Sequence, residues 1–525
     1  MAYGGGTWRT QNKILPGSYI NFASVARATL TISDRGVAAA PFLLSWGPMG
    51  EVRLIEQGEF LKNCFDLFGY SYSSPEMLCL REIFLHAIKV YTYRMPMANA
   101  AKAACIYATA KYEGVRGNDI RIVVDNDPDT PNEAPGYIVT TMVGSRTVEV
   151  QKVKKFSALV DNDWLTWTKS IHGMEPVEGS YSKTEDEELD TGKTYYTRSG
   201  EEGSYVYTEV DEPIFANIGD YFEQDMALVT RYYRFINETA EDGIAYVQAT
   251  VAKETYTLTG GADGVIEEDA HEQFLSAIEP FAFNALCCPV YGEDTDSKAI
   301  IRQYASWTEQ MRDEIGAKFQ LIAHKPETAD YEGVIGLWND VTHSTIDVDK
   351  SALTYWLTGA EASCNINESL TNTKYDGELT IDVDTKQSVL EEHIERGHLV
   401  FHNSNGNIVI LTDINSLVTL KENFGAIFQK NQTIRVCDQI AMDIARQFNL
   451  RYLGIVQNDA TGRASLWNDI VYYLREMERL RAITEFEDEQ VTCEIGNTKD
   501  SVLVTLNGIN VVNAMEKLYM SVIIQ

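Results

Sequence analysis

Residues 268–326 read EDAHEQFLSAIEPFAFNALCCPVYGEDTDSKAIIRQYASWTEQMRDEIGAKFQLIAHKP, and this stretch decides the fold. EDAHEQFLSAIEPF repeats apolar residues at helical spacing, FNALCCPVYG is a short apolar run bounded by turn residues, SKAIIRQYASWTEQMRDEIG is helical again, and KFQLIAHKP carries a second buried-strand pattern. Parallel strands need a crossover between them, usually a helix, so this alternation predicts a partly parallel sheet with helices on its faces. Upstream, VAAAPFLLSW, ending at Gly47-Pro48, and KVYTYRM read as further strands, and PEMLCLREIFLHA as a helix. The two stretches together predict one discontinuous α/β domain, residues 25–98 plus 255–424.

The pattern between them is different. IYATAKYEG, NDIRIVVDND, GYIVTTMVG and RTVEVQKV are strand-like runs separated by Gly, Asn and Asp turns, which predicts a β-rich domain over 99–254. Within it, 175–225 is crowded with Asp and Glu against only Lys183, Lys193 and Arg198, and the tyrosines of KTYYTRSG and GSYVYTEV alternate around a glycine-rich turn. We read an inserted acidic β module at about 170–250. From about 425 the period is helical again. RVCDQIAMDIARQFN aligns Cys437, Ile440, Ala441, Ile444 and Phe448 on one face, and ASLWNDIVYYLREMERLRAI aligns Ile470, Leu474, Met477 and Leu480. The strands FEDEQVTCEIGN and SVLVTLNGINVV follow, so 425–516 reads as an α+β domain.

A chain of 525 residues exceeds one ordinary core and implies two to four domains. Its 77 acids against 44 Lys and Arg give a formal charge of -33, which argues against direct nucleic-acid binding, since neutralising phosphates needs a basic surface. No segment has the roughly 20 apolar residues of a membrane span, and the start lacks the basic-then-apolar pattern of a signal peptide. The eight cysteines, scattered rather than clustered, point to synthesis in a reducing cytosol.

A search for chemistry returns plain readings. Gly192-Lys193-Thr194 approaches a phosphate loop, but Glu187 stands where the upstream glycine is needed, so a hairpin turn is the better account. GGADG at 260–264 reads as a strand-to-helix turn, with Asp263 near the helix start, rather than an anion cradle. DNDPD at 125–129 opens like a calcium loop, yet Thr130 and Gly136 replace the required Gly and Glu. Cys287-Cys288 are adjacent and read as buried strand thiols. His393, His398 and His402 lie close in sequence, but Gly397 splits a helix end from a strand, so their rings need not converge. No nucleophile elbow or catalytic Cys-His neighbourhood stands out, so no catalytic, cofactor or metal residue is assigned.

The two ends are more informative. The chain opens MAYGGGTWRTQNKILPGSYINF and closes KDSVLVTLNGINVVNAMEKLYMSVIIQ. Both termini look like strands without partners in their own vicinity. Unpaired strand edges are stably relieved by completing a sheet, in the same chain or a neighbour, and head-to-tail exchange between copies builds rings or open helices.

Several long segments, in order, carry a family resemblance: GGTW with QNK.LPG.YINF, LTGGADG with FLSAIEPFAFNAL, MRDEIGAKFQ followed by DYEGVI, SLTNTKYDGEL with LEEHIERGHLVFH, and NAMEKLYMSV. Together they resemble the contractile-phage tail sheath proteins of phages and prophages of Gram-positive bacteria, also found in phage-tail-like bacteriocins. The resemblance lapses only across 170–250. It implies a non-enzymatic structural subunit, without cofactor, that stacks as hexameric rings around a tail tube and contracts to drive the tube through the host envelope for genome ejection. The implied partners are further copies of itself, the tail tube protein, and baseplate and tail terminator proteins. There would be no direct nucleic acid and no membrane insertion, and the subunit would sit in the virion tail after assembly in the host cytoplasm.

Carried onto this chain, the resemblance implies a tube-facing C-terminal domain completed by strands from neighbouring subunits. The arms would be 1–24, with Ser18, Tyr19, Ile20, Asn21 and Phe22, and 517–525, with Leu518, Tyr519, Met520, Ser521, Val522 and Ile523. The receiving strands would hold Val491, Cys493 and Ile495, and Val502, Val504 and Leu506. Arg475, Arg479 and Arg481, a basic cluster in an acidic chain, are candidates to face the tube. The competing class is a soluble virion-associated carbohydrate-binding or hydrolytic protein working through the Tyr-rich insert.

Overall fold

The computed structural model describes residues 32–105, 107–129, 137–153, 158–167, 255–383, 386–422 and 424–524, and the backbone of the strands between 182 and 250. The central sheet has seven strands in the spatial order Val52–Glu56, Lys89–Arg94, Val37–Phe42, Ala285–Cys288, Gln320–His324, Val334–Leu337, His398–Leu399. Neighbours run parallel except at one edge, where Val52–Glu56 is antiparallel to Lys89–Arg94. The stretch 268–326 supplies two of these strands and the helices Ala270–Ile278 and Thr295–Gln310, as its alternation predicts.

Side chains alternate across a strand, so each strand serves two cores. Ala38, Ala40, Phe42, Ala285 and Cys287 pack toward the helices Gln57–Phe68, Leu78–Phe84 and Leu353–Ser363. Ala39, Leu286 and Cys288 pack toward Ala270–Ile278 and Thr295–Gln310. The adjacent cysteines are thus free thiols on opposite faces, and burial pushes the Cys287 thiol up to about 12. The helix Leu353–Ser363 is buried on all sides from Leu353 to Ala362. A side chain at Gly359 would meet the Ile83 carbonyl oxygen at 2.2 Å, which is why a glycine sits there. Its polar residues Thr354, Thr358 and Glu361 are buried with the rest, so no side of the helix faces solvent.

A four-stranded antiparallel sheet, in the order Thr255–Thr257, Ile120–Asn126, Tyr137–Val143, Arg146–Val153, builds the second unit. Its core includes Trp46 and Trp164, whose rings stack at 4.8 Å. The acidic stretch forms a six-stranded sheet, in the order Ser182–Lys183, Ile244–Thr250, Val229–Phe235, Tyr221–Met226, Tyr195–Ser199, Val206–Val210, paired antiparallel throughout.

The C-terminal unit combines the helices Asn431–Gln447 and Ala460–Arg479, the hairpin Val491–Ile495 with Val502–Leu506, and the short pair Ile483–Thr484 with Asn510–Val511. Ile470, Leu474 and Met477 are buried where the helical period places them. The first helix departs from its expected orientation. Cys437, Ile440, Ile444 and Phe448 are only half-buried and Ala441 is exposed, while Arg435, Asp438, Gln439 and Asp443 are buried. The physical reason is that its polar side seats against the central unit through ion pairs, leaving the apolar stripe to share the smaller C-terminal core.

Candidate assembly surface

The joint between the central and C-terminal units is ionic. Arg435, 1% exposed at its side chain, pairs with Glu361 of the helix Leu353–Ser363 and with Asp413 at 2.6 Å. Arg312 makes two bonds to Asp438, at 2.7 and 2.9 Å. Burial opposes the charge on Arg435, but Asp413 and Glu361 outweigh it and hold the guanidinium above its ordinary range. The two carboxylates shift in opposite directions. Burial pushes Glu361 up to about 7. Asp413 also suffers burial, yet Arg435, the Leu370 N–H and the Asn431 amide donate to it and hold it below its usual range. Upstream, Ser33 donates to Asp443 and Ile32 packs on the C-terminal core, so the chain enters the described fold on this same unit.

The hairpin carries the candidate receiving residues. Val491 pairs with Leu506, Cys493 with Val504, and Ile495 with Val502. This is a two-stranded sheet, so each strand has one edge unpaired with another strand among the described residues. Ile495 and Leu503 are 55% and 54% exposed.

The end of the chain is held by defined contacts and then leaves them. Val512 donates to the Ala482 carbonyl, Ala514 to Gln432, and the Glu516 carboxylate takes Lys430, Thr371 and Thr412. Beyond Glu516 no helix or strand is assigned, although LYMSVII reads as a strand. Ser521 is exposed, and Leu518, Tyr519, Met520, Val522 and Ile523 are between 70% and 89% exposed. The other arm candidates, Ser18, Tyr19, Ile20, Asn21 and Phe22, lie outside the described residues. The anchor pair Lys430–Glu516 was not evident from the sequence, because nothing local to either residue marks a partner 86 positions away.

The three arginines do not form one bare patch. Arg475 makes a forked pair with Asp488 at 2.8 to 3.1 Å, and Arg479 pairs with Glu476 at 2.8 Å, three residues before it. Arg481 has a left-handed backbone, φ 63°, just past the helix end.

The remaining sequence candidates are structural. Asp263 accepts bonds from Ser45 and the Val115 N–H, so GGADG clasps a neighbouring loop and lies before the short strand Val265–Ile266, not at the helix start. Lys152 bridges Asp127 and Asp129 of the DNDPD turn, tying the turn to the strand Arg146–Val153. Gly192-Lys193-Thr194 lies outside the described residues. His393 and His398 do converge, with their Nδ1 atoms 3.0 Å apart, because the turn at Gly397 folds the strand back beside the helix end. His402 lies on the strand Phe401–Ser404, and among the described residues no group of three His, Cys, Asp or Glu could hold a metal ion. No described helix is long and apolar enough to cross a membrane.

This is a multidomain α/β protein whose distinctive surfaces are strand edges and an exposed apolar tail, features of assembly subunits. Family models match in three places: the phage tail sheath protein central domain over 264–416, the phage tail sheath C-terminal domain over 425–525, and the N-terminal region of tail sheath domain III over 35–95. The chain belongs to the phage tail sheath family and is a structural sheath subunit. It is 26% identical to the phage-like element PBSX protein XkdK of Bacillus subtilis, over 99% of both chains. Its fold matches the crystal structure of a sheath tail protein from Desulfitobacterium hafniense, with a TM-score of 0.69 and 24% identity over 96% of this chain and 99% of that one. A second sheath tail protein, from Listeria innocua, gives a TM-score of 0.65 and 24% identity over 94% and 96%.

Proposed function

We propose that this subunit polymerises as stacked hexameric rings around a tail tube, and that the resulting sheath shortens to drive the tube through a bacterial envelope. The carrying observation is the tail beyond Glu516: Leu518, Tyr519, Met520, Val522, Ile523 and Ile524 are each at least 70% exposed in the single chain. Covering such a run returns roughly 25 cal/mol per Å2 of apolar surface, and each added-strand hydrogen bond about 0.5–1.5 kcal/mol net. One arm therefore contributes several kcal/mol to a contact, enough to decide assembly.

In this reading the tail adds to the edge of a neighbour's hairpin at Val491–Ile495 or Val502–Leu506, and Ser18–Phe22 acts as the second exchanged strand. Main-chain bonding tolerates rigid-body rotation of the joined units, so a mesh of added strands holds while the sheath shortens. The unit 425–516 faces the tube, 25–98 with 255–424 forms the sheath wall, and 99–254 with its acidic module decorates the outside. The sheath's ends meet baseplate and terminator proteins, in a virion or bacteriocin tail assembled in the host cytoplasm.

The test is to delete 517–525 and compare sedimentation, electron microscopy and circular dichroism with the intact chain. A folded subunit that no longer forms large particles is the expected result. Unchanged polymers would mean that the tail folds back on its own chain, and would overturn the exchange.

A further inference from the structure

The central sheet changes direction between two of its strands. From Val37–Phe42 the chain moves one way to Lys89–Arg94, and from the adjacent Ala285–Cys288 it moves the other way to Gln320–His324 and Val334–Leu337. In open parallel sheets the connections leave opposite faces at such a point and open a crevice beyond the carboxyl ends of the strands. A cavity of about 380 Å3 lies there, bordered by Leu44 after the first strand and by Val348 and Tyr355. Its volume is at the small end of ligand clefts, a size that suits a few side chains of a peptide segment. Leu43 lies at its border 61% exposed. Glu76 and Asp347 also border it, both exposed, and neither has an ion pair among the described residues. The crevice is an apolar trough with an acidic rim.

One segment of this chain has the complementary chemistry. The chain carries a formal charge of -33, yet its first acid is Asp34, and Arg9, Lys13 and Arg27 precede it. Residues 8–15, WRTQNKIL, combine Trp8, Ile14 and Leu15 with two of these cations. Their tether is fixed, because Ile32 and Ser33 sit on the C-terminal unit immediately before the strand that ends at the crevice. That strand is about 20 Å long, whereas the chain from Leu15 to Ile32 can span roughly 55 Å. We infer that in the free subunit the crevice at the sheet's switch point holds the chain's own segment Trp8–Leu15, storing the basic end of the first arm until assembly.

The experiment places the photo-reactive benzoyl-phenylalanine at position 43 of the full chain, at a concentration where it sediments as a monomer, and maps the crosslinks by mass spectrometry. Position 43 is exposed, so folding is not at stake, and position 76 serves as a second site. The expected crosslink joins position 43 to a peptide within 8–15, and mixing heavy- and light-isotope protein yields no mixed crosslink. Arg9→Glu with Lys13→Glu should lower the yield at least fivefold, and adding Glu76→Lys with Asp347→Lys should restore it. Crosslinks to other segments only, mixed-isotope crosslinks, no crosslink in a folded protein, or a yield indifferent to charge reversal would each overturn the inference. Failure here is distinct from failure of the exchange reading, which is scored on polymers rather than on the monomer.

Discussion

Arg435 ties the C-terminal unit to the central one. Its guanidinium is buried between Glu361 and Asp413, and removing one partner of a buried pair costs about 3–5 kcal/mol because the others keep their charge without compensation. We therefore expect Arg435→Met to lower stability by that amount in urea unfolding, far more than an exposed pair such as Arg479–Glu476, where about 0.2–1 kcal/mol is at stake. Glu361 adds a pH signature. Burial raises it from 4.5 to about 7 in the folded state, so between those values the folded form binds more protons than the unfolded one, and stability falls as pH rises through that window. Glu361→Gln should flatten that slope in unfolding curves taken from pH 4.5 to 7.5. An unchanged slope would remove Glu361 from this role. Neither residue could be singled out by sequence reading. Arg435 lay inside a stretch read for its apolar stripe, and its partners come from 74 and 22 positions away, a distance over which periodicity carries no information.

Elements were legible where an apolar run is bounded by turn residues, or where a helix has one wet face. The strands Val37–Phe42 and Ala285–Cys288 announced themselves as short apolar runs between turn residues, and the helix Ala460–Arg479 buries Ile470, Leu474 and Met477 as its spacing requires. The helix Leu353–Ser363 is buried on every side, its polar residues Thr354, Thr358 and Glu361 included, so no wet face marked it in the sequence. LYMSVII shows the opposite case, a strand pattern without a strand, since extended backbone is stable only against a partner and the described residues of the single chain provide none. The hairpin edges supply the complementary expectation. Charge on an edge strand deters pairing, and substitutions at exposed sites usually change stability by no more than about 0.5 kcal/mol. Ile495→Lys with Leu503→Lys should thus leave the thermal unfolding midpoint nearly unchanged while abolishing large particles in sedimentation. Polymers that persist would move the receiving edge elsewhere.

At the scale of the molecule, the acidic module is separable by its own hydrogen bonding. Among the described residues its six strands pair with one another and with no other strand, and the strands on either side of it, Leu165–Trp167 and Thr255–Thr257, are bonded into other sheets, to Ala108–Ala110 and Ile120–Asn126. Replacing 168–254 with a Gly-Ser linker of about ten residues exchanges one connection for another, and loop closure depends only weakly on length. The Trp46–Trp164 stack reports on the neighbouring core, so near-ultraviolet circular dichroism should be retained in the deletion variant. Because the deleted stretch carries many more acids than cations, its loss also lowers the repulsion between like-charged subunits. That repulsion is screened by salt over a Debye length of about 10 Å at 0.1 M. The deletion variant should therefore form tubes of smaller diameter in electron microscopy, and should form them at lower ionic strength than the intact chain. A variant that keeps its near-ultraviolet signal but forms no tubes at any salt concentration would place the module inside the assembly contacts rather than outside them.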